Sequence, residues 1–322
     1  MEVNYWYESI GAIKAINGGR DAEGYSFSVF QPGYVNERLI KYRYLFQNLY
    51  EIMMPNRSLT AVFSLNAGLM MGGSFDASTA VLGSLAIIAT YCCGAVYNNI
   101  RDIESDRINS PTRPLVSGAI SVDFASSLMM VLALAGMALG YFVSPILTAA
   151  CLLEAALGFV YSRYTKSMGL LAYATLVTTH MAVPLIAGSL ISGSFGVKAL
   201  AIALFLYLTE VLAVSIKDYK DIEGDRETGL STLPIMFGPE KASKLTFIGL
   251  CLPLLLVWVP WAAFGLSWVF LAMYVTIEFS RYRTGRKILA DQSPAQASEA
   301  LNSFRLITTL EMFAWCLAWF WT

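Results

Sequence analysis

Ser78-Thr-Ala-Val-Leu-Gly-Ser-Leu-Ala-Ile-Ile-Ala-Thr-Tyr-Cys-Cys-Gly-Ala-Val-Tyr-Asn98-Asn-Ile-Arg-Asp102-Ile-Glu-Ser-Asp106 joins two environments that rarely meet. Residues 78–97 carry no charge and match the ~20 apolar residues with which a helix crosses a hydrocarbon core. The run then ends in a cluster of carboxylates. Ionised groups beside lipid are unfavourable and persist where they are paired or bind an ion. The stretch therefore predicts a membrane helix with chemistry at its mouth.

The rest of the chain has the same character. Of its 322 residues 56% are hydrophobic and only 14% charged, where a soluble protein carries about 25% charged residues. The pattern predicts an all-α membrane protein of nine transmembrane helices at residues 58–74, 78–99, 125–142, 145–161, 170–190, 197–216, 245–263, 266–279 and 304–321. The eighth is short and follows the seventh closely. A cytoplasmic N-terminus places every Lys and Arg except Lys198 on the cytoplasmic side, as the positive-inside rule demands. The acidic cluster faces the cytoplasm in that frame and the C-terminus lies opposite.

Residues 1–57 form an N-terminal segment too polar to be a secretory signal. The run from Arg38 to Tyr50 is expected to lie at the interface as an amphipathic helix. Residues 58–322 form the transmembrane domain. No basic stripe with interleaved aromatics is present, which argues against nucleic-acid binding, and nothing calls for an obligate protein partner. Cys92, Cys93, Cys151, Cys251 and Cys316 fall within spans without metal-ligand spacing and read as apolar packers.

A second cluster, Asp218-Tyr-Lys-Asp221-Ile-Glu-Gly-Asp225, follows the sixth span. The two clusters lie four helices apart, which suggests two related four-helix halves plus a ninth helix around a central cavity. On a helix, Asn98, Asp102 and Asp106 step by four residues and project from nearly one face. Asp221 and Asp225 repeat the step, with Asp218 one turn earlier. Hard oxygen donors of this kind suit Mg²⁺, which bridges carboxylates to phosphates. One such cluster would read as a solvated helix end neutralised by Arg101, Arg107, Lys220 and Arg226. Two at equivalent places point instead to a metal-bridged diphosphate.

After the first cluster comes Arg113-Pro-Leu-Val-Ser-Gly118, and after the second Gly224-Asp-Arg-Glu-Thr-Gly229 and Thr232-Leu-Pro234. With these turns the chain resembles the UbiA-type intramembrane prenyltransferases over all nine spans and both motifs. Val116 departs from the family, where many members carry Pro. The resemblance implies that Asn98, Asp102, Asp106, Asp218, Asp221 and Asp225 bind two Mg²⁺ ions that bridge the diphosphate of an allylic isoprenoid. It also implies a lipophilic acceptor, either an aromatic, a chlorin-type acid or a glycerol-lipid phosphate. Lys166, Arg113, Lys217, Arg57 and Tyr161 are candidates to hold the diphosphate, and Lys166 joins Asp102, Asp106, Asp221 and Asp225 as a catalytic candidate. Tyr97, Tyr161, Tyr164 and Tyr219 could offer rings to a carbocation or belong to the interfacial belt.

Glu154, His180, Glu210, Glu311 and Asn66 fall inside spans. Glu210 precedes Lys217 and Asp218 by two turns and is expected on their face, where it could accept the proton released on prenylation or contact the acceptor; the equal alternative is a protonated Glu bonded to a neighbouring helix. His180 and Asn66 read as interhelical hydrogen-bonding groups. The same motifs serve a terpene cyclase, in which the cation is attacked within its own chain and no acceptor is needed. A transporter is disfavoured, because its ion site would lie near the midplane.

Overall fold

A computed structural model describes residues 37–73 and 76–321, and all described secondary structure is helical. The expectations for residues 1–36, and for the end of the first span at residue 74, fall outside the described residues. The chain divides into two compact units, residues 1–46 and 47–322. Of the first, only the opening of α1 (Glu37–Met53) is described.

The second unit holds the rest of the fold. A 3₁₀ turn at Pro55–Ser58 leads into α2 (Leu59–Met70). Then come α3 (Ala77–Arg101), α4 (Ile103–Asn109), α5 (Val122–Val143), α6 (Pro145–Arg163), α7 (Leu170–Ile191) and α8 (Val197–Ala213). A 3₁₀ segment, Val214–Asp221, runs into α9 (Ile222–Glu227). The chain ends with α10 (Leu233–Phe237), α11 (Pro239–Phe264), α12 (Trp268–Ala290) and α13 (Pro294–Leu317). Six of the described helices are long and apolar enough to cross a membrane: Ala77–Arg101, Val122–Val143, Pro145–Arg163, Leu170–Ile191, Val197–Glu227 and Pro239–Phe264.

Helix starts follow the local chemistry. Asp76 accepts the backbone N–H groups of Ser78 and Thr79 and caps α3. Ser121 and Ser144 cap α5 and α6 in the same way, satisfying donors that a helix leaves open at its first turn. In α7, Pro184 cannot donate to a carbonyl four residues back. The helix absorbs this with a π turn at Thr178–Ala182, where the Val183 N–H reaches the Thr178 carbonyl. His180 sits in that turn.

Two departures from the expected spans have one cause. Helix α12 continues past residue 279 to Ala290, and α13 begins at Pro294, ahead of residue 304. Hydropathy ends both spans at their charged residues, yet Arg281 is fully buried between them. Its ion pairs, with Glu311 on α13 and Glu210 on α8, replace the apolar contacts that the hydropathy pattern looks for.

Helices α2 and α7 approach closely because small residues face each other. A Cβ on Gly68 would lie 2.1 Å from the Leu185 carbonyl oxygen, and one on Gly188 would lie 2.1 Å from that of Leu65. Such small-residue seams let backbones meet where lipid supplies no hydrophobic drive. Gly68→Ala must push the helices apart and is expected to destabilise the fold by about 1–3 kcal/mol. An unchanged unfolding midpoint in detergent would show that this contact is looser than described.

Candidate active site

Helix α3 hands over to α4 at Asp102 with little break. The Asp102 N–H bonds the Asn98 carbonyl, the Asp106 N–H bonds that of Asp102, and the Ser110 N–H bonds that of Asp106. The four-residue ladder expected from the sequence is thus kept. Asn98 donates from Nδ2 to Asp102 Oδ2 at 2.8 Å and accepts the Ser162 hydroxyl at Oδ1.

The second motif is wound differently. Asp218 and Asp221 lie in the 3₁₀ segment Val214–Asp221, where residues three apart eclipse on one face. Asp225 follows on α9. Helices α4 and α9 pack together. Asn109 clasps the second motif by donating to the Asp221 carbonyl at 3.2 Å and accepting the Gly224 N–H at 3.0 Å. A Cβ at Gly224 would meet the Asn109 amide at 2.5 Å, so a larger residue there would displace the clasp. The Gly-Asp pair noted in the sequence therefore serves as a docking point between the two motifs.

Four of the carboxylates each hold a cation. Lys166 pairs with Asp102 at 2.6 Å and Arg113 with Asp106 at 2.5 Å, while Lys217 pairs with Asp218 and Lys220 with Asp221. Lys166, Arg113 and Lys217 are the cations that the sequence singled out for a diphosphate. Lys217 also faces the rings of Tyr161 and Tyr173, 5.9 and 5.6 Å from their centroids. Tyr173 was not anticipated. Its hydroxyl donates to Asp218 Oδ2 at 2.6 Å and accepts the Leu233 N–H at 3.0 Å, tying the second motif to the Thr232-Leu-Pro turn.

Burial raises the Asp106 carboxyl above its ordinary range, and Arg113 pulls it back. For Lys166, burial works against the charge, but the Asp102 carboxylate outweighs it and holds the proton on. Asp225 is buried, and its carboxylate makes no hydrogen bond or ion pair among the described residues.

Other expectations are not met at this site. Glu210 is fully buried and bound to Arg281 Nη2 of α12 at 2.5 Å, which fits the interhelical alternative and not a base beneath the motifs. Eight residues separate it from Asp218, but the 3₁₀ winding between them turns the faces apart. Glu311 binds the same arginine at 2.7 Å. Asn66 bonds Ser84 between helices as expected, whereas His180 meets Tyr91 by ring contact, with centroids 5.1 Å apart. Of the candidate rings, Tyr219 is sealed in the core against Thr246, Tyr97 stacks on Phe159, and Tyr164 is exposed. Only Tyr161 borders the cations.

No three of His, Cys, Asp or Glu converge on one point among the described residues. The donor set nevertheless fits a hard divalent ion: it is all oxygen, it includes the unpartnered buried Asp225, and its other carboxylates are held by exchangeable cations. Asn98, Asp102, Asp106, Asp218, Asp221 and Asp225 are the residues that would hold such an ion.

An apolar helical bundle with two interlocked acid-base motifs at one end is the architecture of an intramembrane protein with a polar site at its edge. The model of the UbiA prenyltransferase family matches residues 58–317, and the chain belongs to that family. It is a prenyltransferase. Among its relatives, the digeranylgeranylglyceryl phosphate synthase of Thermococcus kodakarensis is 30% identical over 71% of this chain and 82% of its own. That of Ignicoccus hospitalis is 28% identical over 70% and 76%. A UbiA homologue from Aeropyrum pernix K1 shares the fold with a TM-score of 0.69 at 18% identity, over 80% of this chain and 96% of its own. A homologue from Archaeoglobus fulgidus bound to DMAPP and Mg²⁺ has a TM-score of 0.59 at 18% identity, over 83% and 98%.

Proposed function

We propose that this protein transfers an isoprenyl group from an allylic diphosphate to a glycerol-lipid phosphate, at a site on the cytoplasmic face of a nine-helix bundle. The observation that carries this reading is the pairing of Asp102, Asp106, Asp218 and Asp221 each with its own cation at the joined motifs. A magnesium diphosphate satisfies both halves of those pairs. The carboxylates would hold the metal, and the ammonium and guanidinium groups would hold the phosphate oxygens. Bound Mg²⁺, two ions by family resemblance, would supply Lewis-acid stabilisation of the departing diphosphate.

Lys166, Arg113 and Lys217 are placed to receive the charge that develops as the allylic C–O bond breaks, with no need to reorganise at that moment. Tyr161 and Tyr173, already facing the Lys217 ammonium, offer π faces to an allylic cation beside it. The acceptor hydroxyl then forms the new C–O bond and loses its proton. The acceptor class is supported by the names of the relatives above, and the donor class by the DMAPP and Mg²⁺ of the Archaeoglobus fulgidus homologue. The distribution of Lys and Arg supports the sidedness. The exposed rings of Tyr42 and Phe46 on α1 support an interfacial helix ahead of the bundle.

The test is a screen of prenyl diphosphates against lipid acceptors in detergent with Mg²⁺, read by mass spectrometry. Ether-linked product and free diphosphate are expected only when donor and acceptor are both present, and chelation should abolish them. A cyclic hydrocarbon from donor alone moves the protein to the cyclases. The absence of diphosphate release with every donor removes the reading altogether.

A further inference from the structure

We propose that Arg57 and Arg305 form a second anion site that takes the phosphomonoester of the acceptor lipid. This rests on the prenyl-transfer reading and adds to it the place where the acceptor is held. The sequence treats Arg57 as a diphosphate candidate and Arg305 only as a marker of sidedness. The structure puts them together.

Helices α2 and α13 lie side by side and run the same way. The Thr60 and Thr309 hydroxyls hydrogen-bond at 3.2 Å, and one turn on the rings of Phe63 and Phe313 meet at 5.3 Å. Arg57 precedes Thr60 by three residues and Arg305 precedes Thr309 by four, so both sit about one turn back at a common level. Each is within electrostatic reach of Tyr91, Asp221 and Arg113, Arg57 also of Glu51, and Arg305 feels the charge of Arg57.

Among the described cations that are not exposed, what sets this pair apart is the lack of a carboxylate within ion-pair distance. Lys166, Arg113, Lys217, Lys220 and Arg281 each have an ion pair. Arg57 and Arg305 have none among the described residues. The hydrogen bond of Arg305 goes to neutral Asn302, and the nearby Asp221 is engaged with Lys220. Both guanidinium groups are partly buried, and burial works against the Arg57 charge. Two like charges held together out of water call for an anion between them. Guanidinium forks match the paired oxygens of a phosphate.

The donor cations come from elsewhere in the fold. Lys166 lies between α6 and α7, Arg113 follows α4, and Lys217 and Lys220 follow α8. Arg57 and Arg305 reach the same mouth from the α2–α13 side, next to Arg113 and Asp221, so the acceptor phosphate would sit beside the diphosphate on a pair of its own. Below them Tyr91 rests on His180 at the π turn. The shared chemistry is a phosphate dianion, and the pair is assigned to one carried on a lipid rather than free in solution.

The test compares an isoprenyl glyceryl phosphate with its dephosphorylated alcohol as acceptors, for wild type, R305A, R57A and R305K. In wild type the phosphorylated acceptor is preferred. In R305A and R57A that preference, as a ratio of kcat/KM values, is expected to fall at least ten-fold while the KM for donor changes less. R305K should recover part of it. A ratio does not depend on how much of a variant folds. An unchanged ratio, or a donor KM that rises as much as the acceptor KM, overturns the proposal. Native mass spectrometry of bound lipid reads the site without turnover. Loss of phosphorylated lipid in R305A supports it even if no acceptor is prenylated, in which case the transfer reading alone fails. Inorganic phosphate competing as strongly as the lipid phosphate would overturn the assignment to a lipid.

Discussion

Asp102→Ala and Asp221→Ala are each expected to lower Mg²⁺-dependent diphosphate release by about 10²–10³-fold, the scale seen when one preorganised stabiliser of developing charge is removed. The two residues belong to different motifs, and on the proposed reading they act on one leaving group, because Asn109 joins α4 to the second motif. Without Asp102, Lys166 loses its 2.6 Å partner and Asn98 loses the acceptor of its amide. Without Asp221, Lys220 is released and the second motif keeps only Asp218 and Asp225. Asp102→Asn separates charge from shape, since it retains a hydrogen-bonding oxygen for Lys166 but cannot neutralise it. It should resemble alanine in rate and wild type in stability. Release is measured by a coupled phosphate assay on monodisperse protein, with Glu104→Ala as a control at an exposed position of the same motif. If both alanine variants release diphosphate at the wild-type rate, the motifs do not carry the chemistry.

The acidic motifs were legible because helical periodicity is written locally. Asn98, Asp102 and Asp106 needed only a helix, and the structure keeps the backbone ladder that aligns them. Apolar run length likewise located the helices, since α3, α5, α6, α7, α8 and α11 occupy expected spans. What escaped depends on contacts far apart in sequence. Tyr173 lies 45 residues from Asp218 and carries no mark that separates it from a belt tyrosine. Arg281 looked like one more cytoplasmic cation because hydropathy records charge and not its neutralisation. Glu210 was placed by counting turns of an α-helix, and the 3₁₀ segment broke that count. The pairing of Arg57 with Arg305 spans nearly the whole chain and follows from the parallel packing of α2 and α13.

The largest effect on stability is expected at Arg281, away from the motifs. This residue is fully buried and faces three glutamates, Glu210 at 2.5 Å, Glu311 at 2.7 Å and Glu278 at 3.8 Å. Tyr274 adds a hydroxyl to Glu311, and the guanidinium lies 5.1 Å over the ring of Phe304. Removing one partner of a buried ion pair leaves an uncompensated charge and costs about 3–5 kcal/mol. Arg281→Ala does this for Glu210 and Glu311 together, so the upper part of that range applies. On soluble-domain scaling the unfolding midpoint should drop by roughly 6–15 °C. The opposite change separates charge from packing. Glu278 makes no hydrogen bond among the described residues and adds a third carboxylate where one cation is available. Glu278→Gln relieves repulsion at nearly constant volume and should leave the midpoint unchanged or raise it. The two variants, unfolded by heat in the same detergent, are therefore expected to move apart. If Arg281→Ala melts with wild type while Glu278→Gln falls, then the arginine is not what neutralises the cluster. Because Glu210 lies on the helix that leads into Asp218 and Asp221, loosening Arg281 frees that helix from α12 and α13. Arg281→Ala should therefore lose diphosphate release on warming before it unfolds, whereas Asp102→Asn is slow at every temperature and melts near wild type.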